Sequence, residues 1–317
     1  MIIRYQNHEV AIEVKTPLRG LDLARHYFPE HNILCMACDA ELQSLSNIIE
    51  PKVKYIDLYD IHHPLGAQCL AISTKALMLM AAEGLFPDTR ISVEHSYGKG
   101  FYCEATQPEN LPGNYLEILQ SKMQDYVRAG YEFEERLVSF EQIKDFDYKR
   151  FNVLKNSPRE KVRIYDLCGF PHWFISPLTP DASYIKLFRI TPCENGFVLE
   201  FPCALSPDKL LPFTPSPNLF RVIRESEARG SFLGIRHVSD LNERALSGNH
   251  MEAIHLYEAL HEKKIAEIAD AISNRPGVRF VFIAGPSSSG KTTFMKRLSL
   301  QLRINGLKPT HLSLVDY

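Results

Sequence analysis

The stretch Arg279-Phe-Val-Phe-Ile-Ala-Gly285-Pro-Ser-Ser-Ser-Gly290-Lys-Thr-Thr293 decides the fold of the carboxy-terminal part of the chain. Residues 279–284 form a strongly apolar run of the kind that a parallel sheet buries on both faces. Residues 285–292 match the pattern G-x-x-x-x-G-K-[ST] at every fixed position. A helical pattern follows over Phe294–Ile304 and is closed by Asn305-Gly306. The sequence therefore predicts a strand, a phosphate-binding loop (P-loop) and a helix, which together open a doubly wound α/β domain.

The chemistry of this loop depends on its glycines and on the residues that follow them. Gly285 and Gly290 allow a tight turn whose backbone N–H groups face the β-phosphate, and the positive end of the next helix adds to the attraction. Lys291 is predicted to reach the β- and γ-phosphates, and the Thr292 hydroxyl is predicted to coordinate Mg²⁺. A glycine–serine turn that binds nothing is the alternative, but such a turn does not require the Lys-Thr pair. The residues predicted to bind ATP and Mg²⁺ are Gly285, Ser287, Ser288, Ser289, Gly290, Lys291, Thr292 and Thr293.

A second short strand is predicted over Thr310–Leu314, and it leads to Asp316. In kinases of this topology the strand after the P-loop helix ends beside the phosphoryl acceptor, so a carboxylate there can accept the hydroxyl proton. Asp316 is therefore a candidate catalytic residue together with Lys291. A solvated aspartate at the end of a strand, or a helix cap, explains Asp316 equally well.

The composition is that of an ordinary soluble protein. The chain has 317 residues, of which 45% are hydrophobic and 23% are charged, and its formal net charge is -2. This length predicts two or three domains, because single cores stop growing at roughly 250–300 residues. The small net charge gives the whole chain no attraction to nucleic acid or to anionic lipid.

Cysteine usage and the apolar segments predict the compartment. Seven thinly spread cysteines, an odd number, favour a reducing cytosol. Residues 1–10 lack the basic and apolar regions of a secretory signal. The most apolar stretch, Cys69–Phe86, contains Lys75 and Glu83 and falls short of a membrane span. We therefore expect a cytoplasmic protein without a membrane partner.

Four segments near the carboxy terminus carry a family resemblance: Glu258-Ala-Leu-His-Glu-Lys-Lys264, Ile283-Ala-Gly-Pro-Ser-Ser-Ser-Gly-Lys-Thr-Thr293, Arg297-Leu-Ser-Leu-Gln-Leu-Arg303 and Leu312-Ser-Leu-Val-Asp-Tyr317. With them, residues 254–317 resemble bacterial uridine kinase-like nucleoside kinases of the phosphoribulokinase/uridine kinase superfamily. The resemblance implies ATP-dependent phosphorylation of a nucleoside, with uridine or cytidine expected, or of another small hydroxyl acceptor. The family usually has an acidic residue at the place of Val315, and in this chain Asp316 follows one place later.

Two upstream segments, Pro87-Asp-Thr-Arg-Ile-Ser-Val-Glu-His-Ser-Tyr-Gly-Lys-Gly-Phe-Tyr102 and Asp166-Leu-Cys-Gly-Phe-Pro-His172, carry a second resemblance. They are similar to the editing-type domain of threonyl-tRNA synthetases, and the residues before them resemble the ubiquitin-like TGS domain of the same enzymes. In that family the editing domain has an H-x-x-x-H pair and a later C-x-x-x-H pair. Cys168 and His172 match the later pair, but Ile72 and Ala76 stand at the places of the first. The resemblance therefore implies that the editing reaction is absent.

The predicted fold class is α+β and α/β in several domains. We expect a ubiquitin-like TGS domain over residues 1–55, a synthetase-type α+β domain over 56–225, a linker and helix over 226–275, and the start of a P-loop kinase domain over 276–317. A complete P-loop domain needs about four more sheet strands and a lid. The chain that ends at Tyr317 is therefore expected to be inactive alone.

The expected function is an ATP-dependent nucleoside kinase that works with Mg²⁺. The alternative is a translation-linked module that binds RNA or senses a nucleotide without kinase activity. A non-catalytic fragment is a third hypothesis.

Other candidate ligands are weaker. Cys35 and Cys38 have C-x-x-C spacing, but no second pair stands at zinc-ribbon distance, so two core residues are favoured. His62-His63 precedes a proline and is interpreted as an exposed turn rather than a metal site. His95 is the nearest candidate for a third ligand beside Cys168 and His172.

Overall fold

The structure is a computed structural model that describes residues 1–143, 160–167 and 169–313. The chain divides into two units, Met1–Val222 and Ile223–Tyr317. The fold is mixed α+β with several small sheets, as predicted for the synthetase-like part.

The amino-terminal part of the first unit is a mixed sheet packed against one helix. Its elements are β1 (Ile2–Tyr5), β2 (His8–Ala11), β3 (Leu18–Arg19), α1 (Gly20–Tyr27), β4 (Cys35–Cys38), β5 (Glu41–Gln43), β6 (Ile48–Ile49) and β7 (Tyr55–Tyr59). The five-stranded sheet has the order β2-β1-β7-β4-β5, in which β1 and β7 are parallel and the other neighbours are antiparallel. β3 and β6 form a separate pair.

This first sheet forms because alternate residues of its strands are apolar. In β1, Ile3 and Tyr5 are buried while their neighbours are partly exposed, which is the period of two expected for a half-buried strand. Leu23 of α1 and Ile56 of β7 complete the same core. The sequence runs Ile2–Tyr5 and Val10–Val14 predict two strands, and Leu21–Tyr27 predicts a helix. β1 and α1 confirm the first strand and the helix, but the second strand covers His8–Ala11.

The rest of the first unit surrounds one long apolar helix. Its elements are α2 (Pro64–Leu85), β8 (Ile91–Tyr97), β9 (Gly100–Ala105), α3 (Tyr115–Ala129), β10 (Glu134–Ser139), α4 (Phe140–Ile143), β11 (Lys161–Leu167), β12 (Phe170–Trp173), β13 (Arg189–Cys193) and β14 (Gly196–Glu200). β13-β14-β9-β8 form a four-stranded antiparallel sheet, and β10-β11-β12 form a three-stranded one. The sequence predicts a helix around Tyr115–Ala129 ahead of Gly130, and α3 has these bounds. The φ of Gly130, 60°, is the left-handed conformation that closes many helices. The sequence runs Tyr184–Ile190 and Phe197–Phe201 predict two paired strands. β13 and β14 form such a pair, but β13 covers Arg189–Cys193, so the first predicted strand is wrong in position.

The sequence predicts a helix over Ala71–Leu85, but α2 begins earlier, at Pro64, because local capping defines its start. Pro64 occupies the first turn, where a missing N–H costs nothing, and the His63 ring Nδ1 accepts a hydrogen bond from the Leu65 N–H at 3.2 Å. His62 and His63 are exposed in a turn, as predicted, and His63 also caps α2. Among the described residues α2 alone is long and apolar enough to cross a membrane, but 67% of its apolar window is buried inside the structure. That burial fits the core helix of a soluble protein.

The second unit is helical in its described part. α5 (Pro217–Phe232) leads into it, and α6 (Val238–Leu246), α7 (His250–Ser273) and α8 (Lys291–Ile304) follow. α7 and α8 confirm the two helices predicted there. They pack through a small core of Ile265, Ala269, Leu298 and Leu302. An ion pair between Arg297 of α8 and Glu262 of α7 borders that core.

The strand predicted over residues 279–284 is not formed. This segment pairs with no strand among the described residues, and the Phe280 and Phe282 side chains are 73% and 82% exposed. Ile283 alone packs against the α7–α8 core. An apolar run becomes a strand only when neighbouring strands accept its backbone hydrogen bonds, so the prediction of a buried strand is wrong for this structure. Residues 310–313 form no strand either, and residue 314 lies outside the described part.

Candidate functional site

The predicted P-loop is a closed turn at the start of α8. Ser288 and Gly290 have φ angles of 60° and 81°, both in the left-handed region. The Ser289 N–H donates to the Pro286 carbonyl oxygen at 3.3 Å and closes the turn. A Cβ atom on Gly285 would lie 2.8 Å from Ser289 Oγ, which is too close for a side chain unless the serine moves. In this tight loop Gly290 adopts the left-handed conformation that glycine favours, and Gly285 leaves room for the Ser289 side chain.

Lys291 is the first residue of α8, and its side chain folds back over this loop. The Nζ atom donates a hydrogen bond to the Pro286 carbonyl oxygen at 2.6 Å. No acidic residue stands in the first turn of α8, and Gly290 supplies no side chain to cap it. The positive end of the helix and the ammonium group therefore face the same solvent-exposed loop, an arrangement that attracts an anion.

The remaining predicted P-loop residues lie together in this one turn. Ser287, Ser288, Ser289, Thr292 and Thr293 are exposed. The exposed Thr292 hydroxyl can serve as a Mg²⁺ ligand, since hydroxyl oxygens suit that hard cation. Asp316 and Val315 lie outside the described residues, so the structure does not place the predicted base relative to Lys291.

A second site of interest lies between α2 and the strands of the first unit. Ile72 and Ala76, which stand at the places of the synthetase histidines, are apolar, and Ala76 is fully buried. Cys168 lies outside the described residues. His172 is held by an acidic partner instead: its Nε2 lies 2.9 Å from Glu83 Oε2 near the end of α2, and both side chains are nearly buried. The described residues contain no group of three or more side chains that could hold a metal ion.

Lys75 lies on the same helix and has an unusual environment. Its Nζ lies 5.1 Å from the centroid of the Phe174 ring and 5.9 Å from that of Phe101. Burial lowers the pKa of Lys75, while the neighbouring Cys103 acts in the opposite direction. The Phe174 ring in turn stacks on His172, with centroids 5.9 Å apart and an interplanar angle of 8°.

Lys75 and Glu83 are not predicted as site residues from the sequence, where they are only charges that interrupt an apolar helix. That interruption was the available signal, because a charged residue inside a buried helix needs a partner or a function.

The other candidate ligands of the first unit are structural. Cys35 and Cys38 are buried in β4, which confirms them as core residues. Burial raises the pKa of Cys38 to about 11, as expected for an unreactive thiol. The His95 ring stacks on Tyr102 with centroids 5.2 Å apart, and its Nδ1 lies 3.0 Å from the Ser96 carbonyl oxygen.

Comparison with known proteins supports the synthetase resemblance in its coarse form. No protein-family model matches the chain. The chain is 25% identical over 206 residues to the threonine–tRNA ligase of Ehrlichia canis (strain Jake), which covers 60% of this chain and 32% of that protein. It is 26% identical over 194 residues to that of Anaplasma marginale (strain St. Maries), covering 57% and 29%. For Carboxydothermus hydrogenoformans the identity is 25% over 202 residues, covering 59% and 31%.

The similarity is distant, and it concerns the amino-terminal region of the synthetases. The chain spans about a third of the length of the curated relatives it matches. These relatives are synthetases, so they lend no support to the kinase resemblance of residues 254–317.

Proposed function

We propose that this protein is a Mg-ATP-dependent phosphotransferase of the cytoplasm, with a nucleoside such as uridine or cytidine as acceptor. The single observation that carries the proposal is the closed P-loop, in which Gly285 and Gly290 shape the turn and Lys291 starts α8. A loop of this geometry with a lysine and a threonine at the helix start suits the triphosphate of a nucleotide.

The roles of the loop residues follow from their positions. The backbone N–H groups and Lys291 bind and orient the phosphates and stabilise the charge on the transferred group. The Thr292 hydroxyl would hold Mg²⁺, which would supply additional positive charge to the phosphates when bound. We assign Asp316 as the group that orients the acceptor hydroxyl, an assignment that rests on sequence alone.

A second candidate function is favoured by the similarity to threonine–tRNA ligases, which covers 60% of the chain. In this proposal the first unit binds RNA in a translation-linked role, and the P-loop senses a nucleotide without transferring its phosphate. Aminoacyl-ester editing is not part of the proposal, because Ile72 and Ala76 can neither ligate a metal nor move a proton.

The two functions are tested on the same preparation of the complete natural protein, because the chain that ends at Tyr317 is expected to be inactive alone. The first assay mixes Mg-ATP with a panel of nucleosides and small sugars and follows phosphorylated product and ADP. The second measures binding of deacylated tRNA, with and without ATP, by gel shift. Phosphorylation of one nucleoside that disappears without Mg²⁺ supports the kinase. Absence of product across the panel contradicts it, and tRNA binding that changes with ATP then supports the second candidate.

A further inference from the structure

We propose that a cavity at the carboxy-terminal end of α2 binds a free α-amino acid with an apolar side chain. The cavity has a volume of about 390 Å³. It is lined by the last turn of α2, by the connection from α2 to β8 and by the two residues that follow β9. The site lies within the first unit and is independent of the P-loop.

Two unpaired side chains of opposite charge line this cavity. Asp88 and Arg90 are both exposed, and neither has an ion-pair partner among residues 1–143, 160–167 and 169–313. The Arg90 carbonyl oxygen accepts a hydrogen bond from the Thr106 N–H at 2.9 Å, which fixes this segment beside the end of β9. A guanidinium group binds a carboxylate through two parallel N–H donors. A ligand with one carboxylate and one ammonium group can therefore pair with Arg90 and Asp88 at the same time.

The end of α2 favours the ammonium group of such a ligand. The last carbonyl groups of a helix carry a partial negative charge, and the last turn of α2 contains no basic residue that would neutralise it. The Glu83 carboxylate, which is bonded to His172 at 2.9 Å, lines the same cavity. We therefore place the ammonium group between the end of α2 and Asp88, and the carboxylate at Arg90.

A buried hydroxyl group provides evidence for a ligand that does not depend on these charges. Thr89 lines the cavity with only 4% of its surface exposed. Its backbone N–H donates to the Phe86 carbonyl oxygen at 3.0 Å, but its side-chain hydroxyl has no hydrogen-bond partner in the described part of the chain. A buried hydroxyl without a partner costs free energy, and either charged group of an amino acid can supply the missing hydrogen bond.

The remaining wall of the cavity suits an apolar side chain. Phe86 and Pro87 both line it, and the Phe86 ring is held edge-on against Tyr115 with centroids 6.5 Å apart. Binding sites for small molecules commonly combine apolar walls with a few polar groups that set the orientation of the ligand. An aminoacyl ester has no free carboxylate for Arg90, so the proposed ligand is the free amino acid and not an aminoacylated RNA.

Equilibrium dialysis of the intact chain against three related compounds tests the proposal. The compounds are L-leucine, its methyl ester, which lacks the carboxylate, and N-acetyl-L-leucine, which lacks the ammonium group. We expect leucine to bind about tenfold more tightly than either derivative, because each derivative loses a hydrogen bond between charged groups. No binding of leucine at about 10 mM overturns the proposal. Equal binding of the three compounds overturns it too, and neither result needs a variant that could fail to fold.

Two variants assign the two charged contacts. Arg90→Gln should abolish the preference for leucine over its methyl ester and keep the preference over N-acetyl-leucine, and Asp88→Asn should have the reverse effect. Arg128→Gln is the matched control, because Arg128 is an exposed arginine of α3 outside the cavity, and it should keep both preferences. Since Asp88 and Arg90 are exposed and unpaired, both variants should keep the melting temperature of the unaltered protein. Variants that fold but retain both preferences overturn the assignment of the cavity.

Discussion

Replacing Lys291 with alanine should abolish most phosphoryl transfer while leaving the fold intact. The stability cost is small because the side chain donates its hydrogen bond to Pro286 in an exposed loop. Such a bond contributes about 0.5–1.5 kcal/mol, with exposed examples at the lower end. Alanine also has a slightly better helix propensity than lysine, which offsets part of the loss. We expect the free energy of unfolding to fall by less than about 1 kcal/mol.

The effect on the reaction should be much larger. Lys291 supplies the charge that faces the transferred phosphoryl group, and removal of one preorganised electrostatic donor costs about 2.7–4 kcal/mol in the transition state. This corresponds to a decrease in kcat of about 10²–10³. The two magnitudes differ enough to separate a functional role from a structural one.

The assay measures kcat with Mg-ATP and the best nucleoside of the panel, and the melting temperature, for the full-length protein and its variants. Lys296→Ala is the matched control, because Lys296 is an exposed lysine on the same helix and lies outside the loop. It should change neither quantity. Turnover by Lys291→Ala equal to that of the unaltered protein refutes the kinase reasoning, and a collapse of its melting transition shows that Lys291 is structural.

Three further predictions concern the rest of the chain. Burial alone would raise the pKa of Glu200, but hydrogen bonds from Arg189 and Thr191 lower it. These contacts therefore stabilise the fold above the unfolded-state pKa of about 4.3, and this stabilisation is lost as the pH falls through the lower folded-state pKa. Glu200→Gln should make thermal stability less dependent on pH between about pH 6 and pH 3, and a pH profile equal to that of the unaltered protein contradicts this. Ile265→Val in the fully buried α7–α8 core should cost about 0.5–1.5 kcal/mol by urea denaturation, and no measurable cost would show that this core is not formed as described. The protein purified without chelator should lack stoichiometric zinc and should not hydrolyse mischarged threonine tRNA. Stoichiometric zinc that is lost in Cys168→Ser would show that the protein has a zinc site.

The sequence alone was sufficient for features whose causes lie within a few residues. The P-loop turn follows from the spacing of Gly285, Gly290 and Lys291, and the structure places all three in one closed loop. The bounds of α3 follow from an amphipathic pattern that ends at Gly130. Glycine conformations, helix caps and helical periodicity act over a single turn of the chain, so each can be predicted from a short stretch of sequence.

The synthetase-like site could be predicted only in part. The sequence identified His172 and showed that Ile72 and Ala76 remove the first ligand pair. It did not predict that Glu83 would bind His172, because the two residues are 89 positions apart and no local pattern joins them.

Only the tertiary structure determines which segments contact each other. These contacts decide whether an apolar run forms a strand and what surrounds a buried charged group. The apolar run at 279–284 has the composition of a buried strand, but strand formation requires partner strands for its backbone N–H and C=O groups, and the described residues supply none. Lys75 is an ordinary lysine in the sequence. Burial in the folded chain lowers its pKa, while the neighbouring Cys103 acts in the opposite direction. Burial and long-range pairing depend on contacts between distant segments, and for that reason they are fixed by the folded chain and not by any stretch of its sequence.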